Sequence, residues 1–218
     1  MPLAGRPMIE WSLDALRACE SVRSIVVACP PGHVHGLDGD DLDVVPGGAT
    51  RAHSVANALA VVETELVAIH DAARPLLTPE LVEELVARLD ADPGAVAVIP
   101  AGPVIDTVKQ TVKGTRPALT TQEGANAGLV VETTLDRSRL WAVQTPQVFR
   151  VEALRAALDV EPERRDAATD EAMLVEAAGG TVLIHPTPGE NLKVTTPLDL
   201  RIAELLLSDR LSGDSVAQ

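Results

Sequence analysis

Apolar residues recur along this chain at two periods, and the periods alternate. Ile9, Leu13 and Leu16 fall at helical spacing behind Pro7 and predict a first helix. Residues 24–29 form a short apolar run stopped by Pro30-Pro31-Gly32. Asp43-Val44-Val45 is a second run, closed by Pro46-Gly47-Gly48. Val55, Ala58, Leu59 and Val62 mark another helix, and residues 66–69 another strand. Leu81, Val82, Leu85, Val86 and Leu89 mark a helix with Thr78 as N-cap and Pro79 in its first turn. Residues 95–99 are again continuously apolar. Runs that do not alternate fit strands buried on both faces of a parallel sheet, so the pattern predicts an α/β fold with helices on both faces.

The pattern changes after Pro103. Residues 106–109, 128–133 and 140–144 are extended and alternating. Between them, residues 114–128 are rich in Thr, Gly, Gln and Asn and read as a mobile loop. We read residues 103–145 as a β-arm projecting from the sheet. A two-stranded ribbon is marginal alone in water, so the arm needs a surface, and a second subunit is the expected one. Val151, Leu154, Ala157 and Leu158 then give a helical stripe. Thr169 is expected to cap a helix running to Gly179-Gly180, and residues 181–185 form a strand. Thr196-Pro197-Leu198-Asp199 is a capping box opening a last helix through Leu207, with a frayed tail from Ser208. No repeat or linker divides the 218 residues, which are read as one domain, 1–218.

Composition narrows the reading. Hydrophobic content is 46%, with two Trp, one Phe and no Tyr, so the core must be aliphatic. The net charge of −14 disfavours broad attraction to nucleic acid. No apolar stretch is long enough to span a membrane, and residues 1–6 lack a signal-peptide core. Cys19 and Cys29 form no CxxC motif, no Cys/His cluster has zinc spacing, and a reducing cytoplasm fits.

Four clusters carry candidate chemistry. Gly47-Gly48-Ala49-Thr50-Arg51-Ala52-His53-Ser54 is a strand-to-helix turn, where glycines permit close backbone approach and a helix start offers free N–H groups. Ser54 there suits an N-cap as well as a ligand. His70-Asp71-Ala72-Ala73-Arg74-Pro75 follows a strand, at the carboxyl edge where open α/β sheets bind ligands. Asp71 either holds a divalent metal or pairs with Arg74 to shape the turn, and Arg74 could equally meet a phosphate. The third cluster lies on the arm, at Asp106-Thr107, Asp136-Arg137 and Gln144-Thr145-Pro146-Gln147. The fourth comprises Thr169-Asp170-Glu171 and Glu190-Asn191-Leu192-Lys193, whose lysine either reaches solvent or joins Asp71 beside a phosphate. His33 and His35 flank a Pro/Gly loop with no evident partner. Neither a Gly-x-Gly-x-x-Gly fingerprint nor a P-loop occurs.

In this order the clusters resemble the 2-C-methyl-D-erythritol 4-phosphate cytidylyltransferases. The matching strings are PLAGRPMIEWSL, GGATRAHSV, HDAARP, DTVK, DRSRLWAVQTPQVFR, TDEA and NLKVT, from Pro2 to about Leu206. The resemblance implies a Rossmann-like, mostly parallel sheet whose β-arm clasps a second subunit. It implies transfer of CMP from CTP to the methylerythritol phosphate, with release of pyrophosphate and with Mg²⁺ as cofactor. It implies that Gly48, Ala49 and Ser54 line the cytosine pocket, with Ala72 near the nucleotide and Asp71 at the metal and ribose. Arg74, Thr107, Thr145 and Thr169 would belong to the substrate pocket, Thr107 and Arg137 reaching it across a homodimer. Arg137 and Lys193 would position the attacking phosphate.

One departure matters. Members of that family carry a strand and a loop of the form AAGxGxR, then PK, ahead of the segment matching Pro2–Arg6, and this sequence begins just after it. The absent piece is roughly 30 residues, a βα unit. The expectation is therefore a sheet whose first central strand is missing. A start assigned too late fits best, since the downstream motifs are intact. Ala49 also stands where some members have an acid. A ribitol-phosphate cytidylyltransferase and a non-catalytic nucleotide- or sugar-phosphate-binding paralogue are the alternatives.

Overall fold

A computed structural model describes residues 1–30, 42–113 and 129–212. A short hairpin, β1 (Pro2–Leu3) and β2 (Arg6–Pro7), leads into α1 (Met8–Arg17). There follow β3 (Ile25–Cys29), β4 (Leu42–Pro46), α2 (Arg51–Leu59), β5 (Leu66–Ile69), α3 (Pro79–Asp90) and β6 (Ala97–Pro103). The arm contributes β7 (Lys109–Lys113) and β8 (Leu129–Thr134). The chain returns through β9 (Trp141–Val143) and β10 (Gln147–Arg150), then runs through α4 (Val151–Leu158), α5 (Pro162–Asp166), α6 (Glu171–Ala177), β11 (Val182–Pro186) and α7 (Pro197–Ser212).

The main sheet has the order β11-β6-β10-β5, with β9 also on β6. β10 runs antiparallel to both neighbours, and β11 runs parallel to β6. β5, β6 and β11 therefore point the same way, with β10 reversed among them. β3 and β4 form a separate parallel pair. Alternation along the strands feeds two cores. Val98 of β6 and Val148 of β10 pack with Leu85 and Leu89 of α3. Their neighbours Ala97, Ile99 and Phe149 face the other way, onto Leu154 of α4 and Val175 of α6. Both faces are covered, which is why these strands are apolar without interruption.

The strand Gln147–Arg150 lies at the centre of the sheet, yet the sequence pattern did not reveal it. Four residues following the arm carry no period of their own. β6 begins two residues later than expected and runs to Pro103, where β9 pairs with it. The projecting ribbon is thus β7 with β8. Asp170, not Thr169, caps α6, its carboxylate accepting from the Met173 amide at 3.0 Å. Residues 208–212, expected to fray, continue α7. At its start the capping box forms as expected: the Asp199 amide donates to Thr196 Oγ1 at 3.2 Å, and the Thr196 amide to the Asp199 carboxylate at 2.7 Å. The loop read at 114–128, together with His33, His35 and residues 213–218, lies outside the described residues.

The described strands fall into separate sheets, as the expected break would leave them. Among the described residues β5 pairs only with β10, and β3 only with β4. Every residue of β5 is half-buried, whereas Ala97–Ala101 of β6 and Gln147–Phe149 of β10 are buried.

Phe149 is fully buried between the sheet and α4. Phe149→Ala is expected to lower the unfolding free energy by about 3–5 kcal/mol, read from urea denaturation.

Candidate active site

Two strand ends supply the first parts of the site. β4 ends in Gly47-Gly48, and the Gly47 amide donates to the Cys29 carbonyl at 2.6 Å. A Cβ on Gly48 would lie 2.2 Å from that of His53, so only glycine fits. Thr50 caps α2, accepting from the His53 amide at 3.2 Å. Ser54 is therefore not the cap. Its hydroxyl accepts from the Gly48 amide and donates to the Thr50 carbonyl, each at 3.0 Å, and so fixes the turn that exposes Gly48 and Ala49.

Asp71 lies two residues past the end of β5. Its carboxylate meets Lys193 Nζ at 2.8 Å and Arg51 Nε at 3.2 Å. Arg51 also holds Glu171, at 2.5 Å. Lys193, Asp71, Arg51 and Glu171 thus form one row of alternating charge, drawn from four distant segments. Burial opposes ionisation of Asp71, but Lys193 and Arg51 outweigh it and hold its carboxyl below the ordinary aspartate value. Burial works against the charge on Arg51 too, yet its two carboxylates keep it charged. Burial pushes Glu171, 1% exposed, above the ordinary glutamate value despite Arg51.

The Asp71–Arg74 ion pair open from the sequence does not form. The turn is made by backbone instead, the Arg74 amide donating to the Asp71 carbonyl at 2.9 Å. The Arg74 guanidinium donates to the Asn191 carbonyl at 2.7 Å, and its buried Nε has no partner. Buried Thr145 braces the same turn. It accepts from the Asp71 amide at 3.0 Å, and its hydroxyl lies 3.2 Å from His70 Nδ1. Asn191 Nδ2 donates to the Thr145 carbonyl at 2.7 Å, and the Val194 amide to the Ala73 carbonyl at 2.7 Å. These bonds clip the segment bearing Lys193 onto the turn bearing Asp71.

A cavity of about 790 Å³ opens at this place, with Arg51, Ser54, Asp71, Ala72 and Lys193 among its lining residues. Exposed Thr169 lies two residues before Glu171 and touches Met173 Sδ at 4.0 Å. Thr107 and Arg137 stay on the arm, both exposed, with Arg137 donating to the Ile105 carbonyl. No contact within the chain brings either to Asp71 among the described residues. Arg51, Glu171 and Asn191 were missed as site residues. All three stood inside strings already singled out, but no spacing rule links residues as far apart as Arg51 and Glu171, 120 positions.

Could a divalent cation sit here? Among the described residues no group of three His, Cys, Asp or Glu side chains could hold one. Mg²⁺ typically needs only one or two carboxylates when substrate phosphates complete its shell, so ionised Asp71 fits.

His70 donates through Nε2 to the Arg74 carbonyl at 3.0 Å and is held neutral by burial, its pKa pulled down to about 4. Unfolded histidine takes up a proton near 6.5, the folded one only near 4, so acidification across that window favours the unfolded chain. Stability is expected to fall by roughly 3 kcal/mol between pH 6.5 and 4, and His70→Gln should remove that part of the slope, measured by urea melts at stepped pH.

Residues 1–209 match the family model described as 2-C-methyl-D-erythritol 4-phosphate cytidylyltransferase. A protein of that name from Frankia casuarinae is 44% identical over 212 residues, covering 94% of this chain and 72% of the relative. Another from Saccharopolyspora erythraea is 39% identical, covering 95% of this chain and 89% of the relative. The crystal structure of the 2-C-methyl-D-erythritol 4-phosphate cytidylyltransferase from Thermus thermophilus superposes with a TM-score of 0.77 at 32% identity, covering 95% of this chain and 92% of that one.

Proposed function

The chain belongs to the 2-C-methyl-D-erythritol 4-phosphate cytidylyltransferase family, and from that premise we propose how its residues act. The reaction moves CMP from CTP to the phosphate of 2-C-methyl-D-erythritol 4-phosphate, a step of isoprenoid biosynthesis. The observation that carries the reading is the meeting of Asp71, just past β5, with Lys193, 122 residues later, in the lining of a cavity.

A phosphate oxygen of the sugar phosphate attacks the α-phosphorus of CTP. The bond from that phosphorus to the bridging oxygen breaks, and pyrophosphate leaves with the electron pair. The nucleophile is already an anion, so no strong base is required. The difficulty is bringing two anions together, and positioning plus fixed positive charge overcomes it. Lys193 supplies a mobile ammonium: it is half-exposed and can exchange Asp71 for a phosphate oxygen. Arg74, with an unpartnered buried Nε, supplies a second donor to the substrate pocket, which Thr145 and Thr169 complete. Asp71, once released by Lys193, can hold Mg²⁺ together with the triphosphate, and the cation would then neutralise charge developing on the leaving pyrophosphate. Gly48 and Ala49 present backbone toward the base, with Ser54 and Ala72 beside the nucleotide. Arg51 keeps Asp71 aimed, and buried Glu171 keeps Arg51 aimed.

The arm points to a homodimer. Its β7–β8 ribbon leaves Val112, Leu129 and Val131 exposed, and Ile105 at its base is 81% exposed. A partner subunit laid on this ribbon would bury them and carry Thr107 and Arg137 to the other subunit's site, Arg137 as the second cation on the attacking phosphate. The cytoplasm suits free, buried Cys19 and Cys29, and no helix of the described residues is long and apolar enough to cross a membrane.

Pyrophosphate release with CTP, Mg²⁺ and 2-C-methyl-D-erythritol 4-phosphate tests the function. Turnover should require all three, and ribitol 5-phosphate should serve poorly. Equal use of ribitol phosphate would reject the substrate assignment. Lys193→Ala should lower turnover by about 100-fold or more with the fold intact by circular dichroism. The open flank of β5 beside Asp71 favours a second reading, a binding paralogue, for which calorimetry would register CTP uptake without product. Light scattering should report a dimer that Val131→Asp converts to monomer.

A further inference from the structure

His70, Arg74, Asn191 and Thr145 close a ring of hydrogen bonds beside Asp71. His70 Nε2 meets the Arg74 carbonyl at 3.0 Å, and the Arg74 guanidinium donates to the Asn191 carbonyl at 2.7 Å. Asn191 Nδ2 donates to the Thr145 carbonyl at 2.7 Å, and the Thr145 hydroxyl closes the ring at 3.2 Å from His70 Nδ1. The direction of the two histidine bonds follows from what each atom can do. The imidazole is neutral, so one nitrogen donates and the other accepts. A carbonyl only accepts, so Nε2 carries the proton and Nδ1 keeps the lone pair. Nδ1 therefore takes the Thr145 hydroxyl proton. With that proton committed, Thr145 Oγ1 has only lone pairs left, and the Asp71 amide donates to one of them at 3.0 Å. On the other side, Ser12 Oγ donates to the same Arg74 carbonyl as Nε2, at 3.3 Å.

We infer that His70 is a positioning residue for the transfer, setting Asp71 through Thr145 with one ring nitrogen and Arg74 through its carbonyl with the other. The opposite tautomer would break both links. An Nδ1–H would compete with the Asp71 amide for the Thr145 oxygen, and a bare Nε2 would face the Arg74 carbonyl, acceptor against acceptor. Both nitrogens are spent inside the protein, so the ring is not a general base, in keeping with a nucleophile that needs none. The two links serve different parts of the reaction. Asp71 acts where pyrophosphate leaves, and Arg74 acts on the sugar phosphate. The roles of Asp71 and Arg74 rest on the cytidylyltransferase reading, whereas the bonding of the ring does not.

Two substitutions separate the links. In His70→Gln the side-chain amide nitrogen stands where Nε2 stood, and nothing replaces Nδ1. In His70→Asn the amide oxygen stands where Nδ1 stood, and nothing reaches the Arg74 carbonyl. His70→Gln should lower kcat by about tenfold or more with KM for the sugar phosphate roughly unchanged. His70→Asn should raise that KM by about tenfold with kcat roughly unchanged. Amide exchange at Asp71 should speed by about tenfold in His70→Gln alone, with β10 amides still protected in both variants. Nitrogen-15 spectra of the unaltered chain should show Nε2 protonated and Nδ1 bare. A proton on Nδ1 would overturn the inference, as would equal kinetic losses or equal Asp71 exchange in the two variants. Absence of turnover by the unaltered chain would reject the cytidylyltransferase reading instead, and the spectrum and exchange rates would then decide the bonding by themselves.

Discussion

The row of alternating charge from Lys193 through Asp71 and Arg51 to Glu171 is the constraint on which the site depends. Each member is costly to place alone. Glu171 is buried at the start of α6, and without Arg51 it would be an isolated buried carboxyl, which is among the most destabilising arrangements a fold can contain. Arg51 cannot leave it, and so Arg51 stands fixed where its Nε meets Asp71. The rigidity is graded. The inner pair ends in a buried carboxylate, while the outer pair ends in a lysine with 44% of its side chain exposed. A site built this way keeps its acid in place and leaves its ammonium free to change partners.

Neutral groups do the rest of the positioning. Thr145 accepts the Asp71 amide and engages His70, and Asn191 reaches back to the Thr145 carbonyl. Backbone conformation around the acid is thereby set by hydroxyl and amide contacts that do not titrate near neutral pH. His70 belongs with them, since burial keeps it uncharged well below its ordinary value.

Much of this was legible in the sequence, and the reasons for success and failure are physical. β5 was read at its full length because four apolar residues stood between a polar stretch and His70. The capping boxes and N-caps at Thr78 and Thr196 were visible because their chemistry is local. β10 was missed because its burial comes from helices on both faces, which no four-residue window records. Thr169 was preferred over Asp170 as a cap because both residue types suit the role, and only tertiary contacts decide which side chain turns inward. Gln147, bonded to Asp170 at 2.9 Å, is one such contact. Asp71 and Lys193 were singled out by residue type and strand position. Arg51 was not, because its role is created by Glu171, far away in the chain.

The route of the chain through β9 and β10 carries a mechanical implication. The chain returns from the ribbon through residues 135–140 and β9, which pairs with β6. From Val143 it passes through Gln144 and Thr145, then enters the sheet as β10 beside β5. Two peptide links therefore separate the end of β9, the strand by which the chain rejoins the sheet, from the hydroxyl that supports the Asp71 amide. A displacement of β9 is therefore passed to the turn bearing Asp71 through covalent bonds, so the return path of the ribbon and the seat of the acid are mechanically continuous.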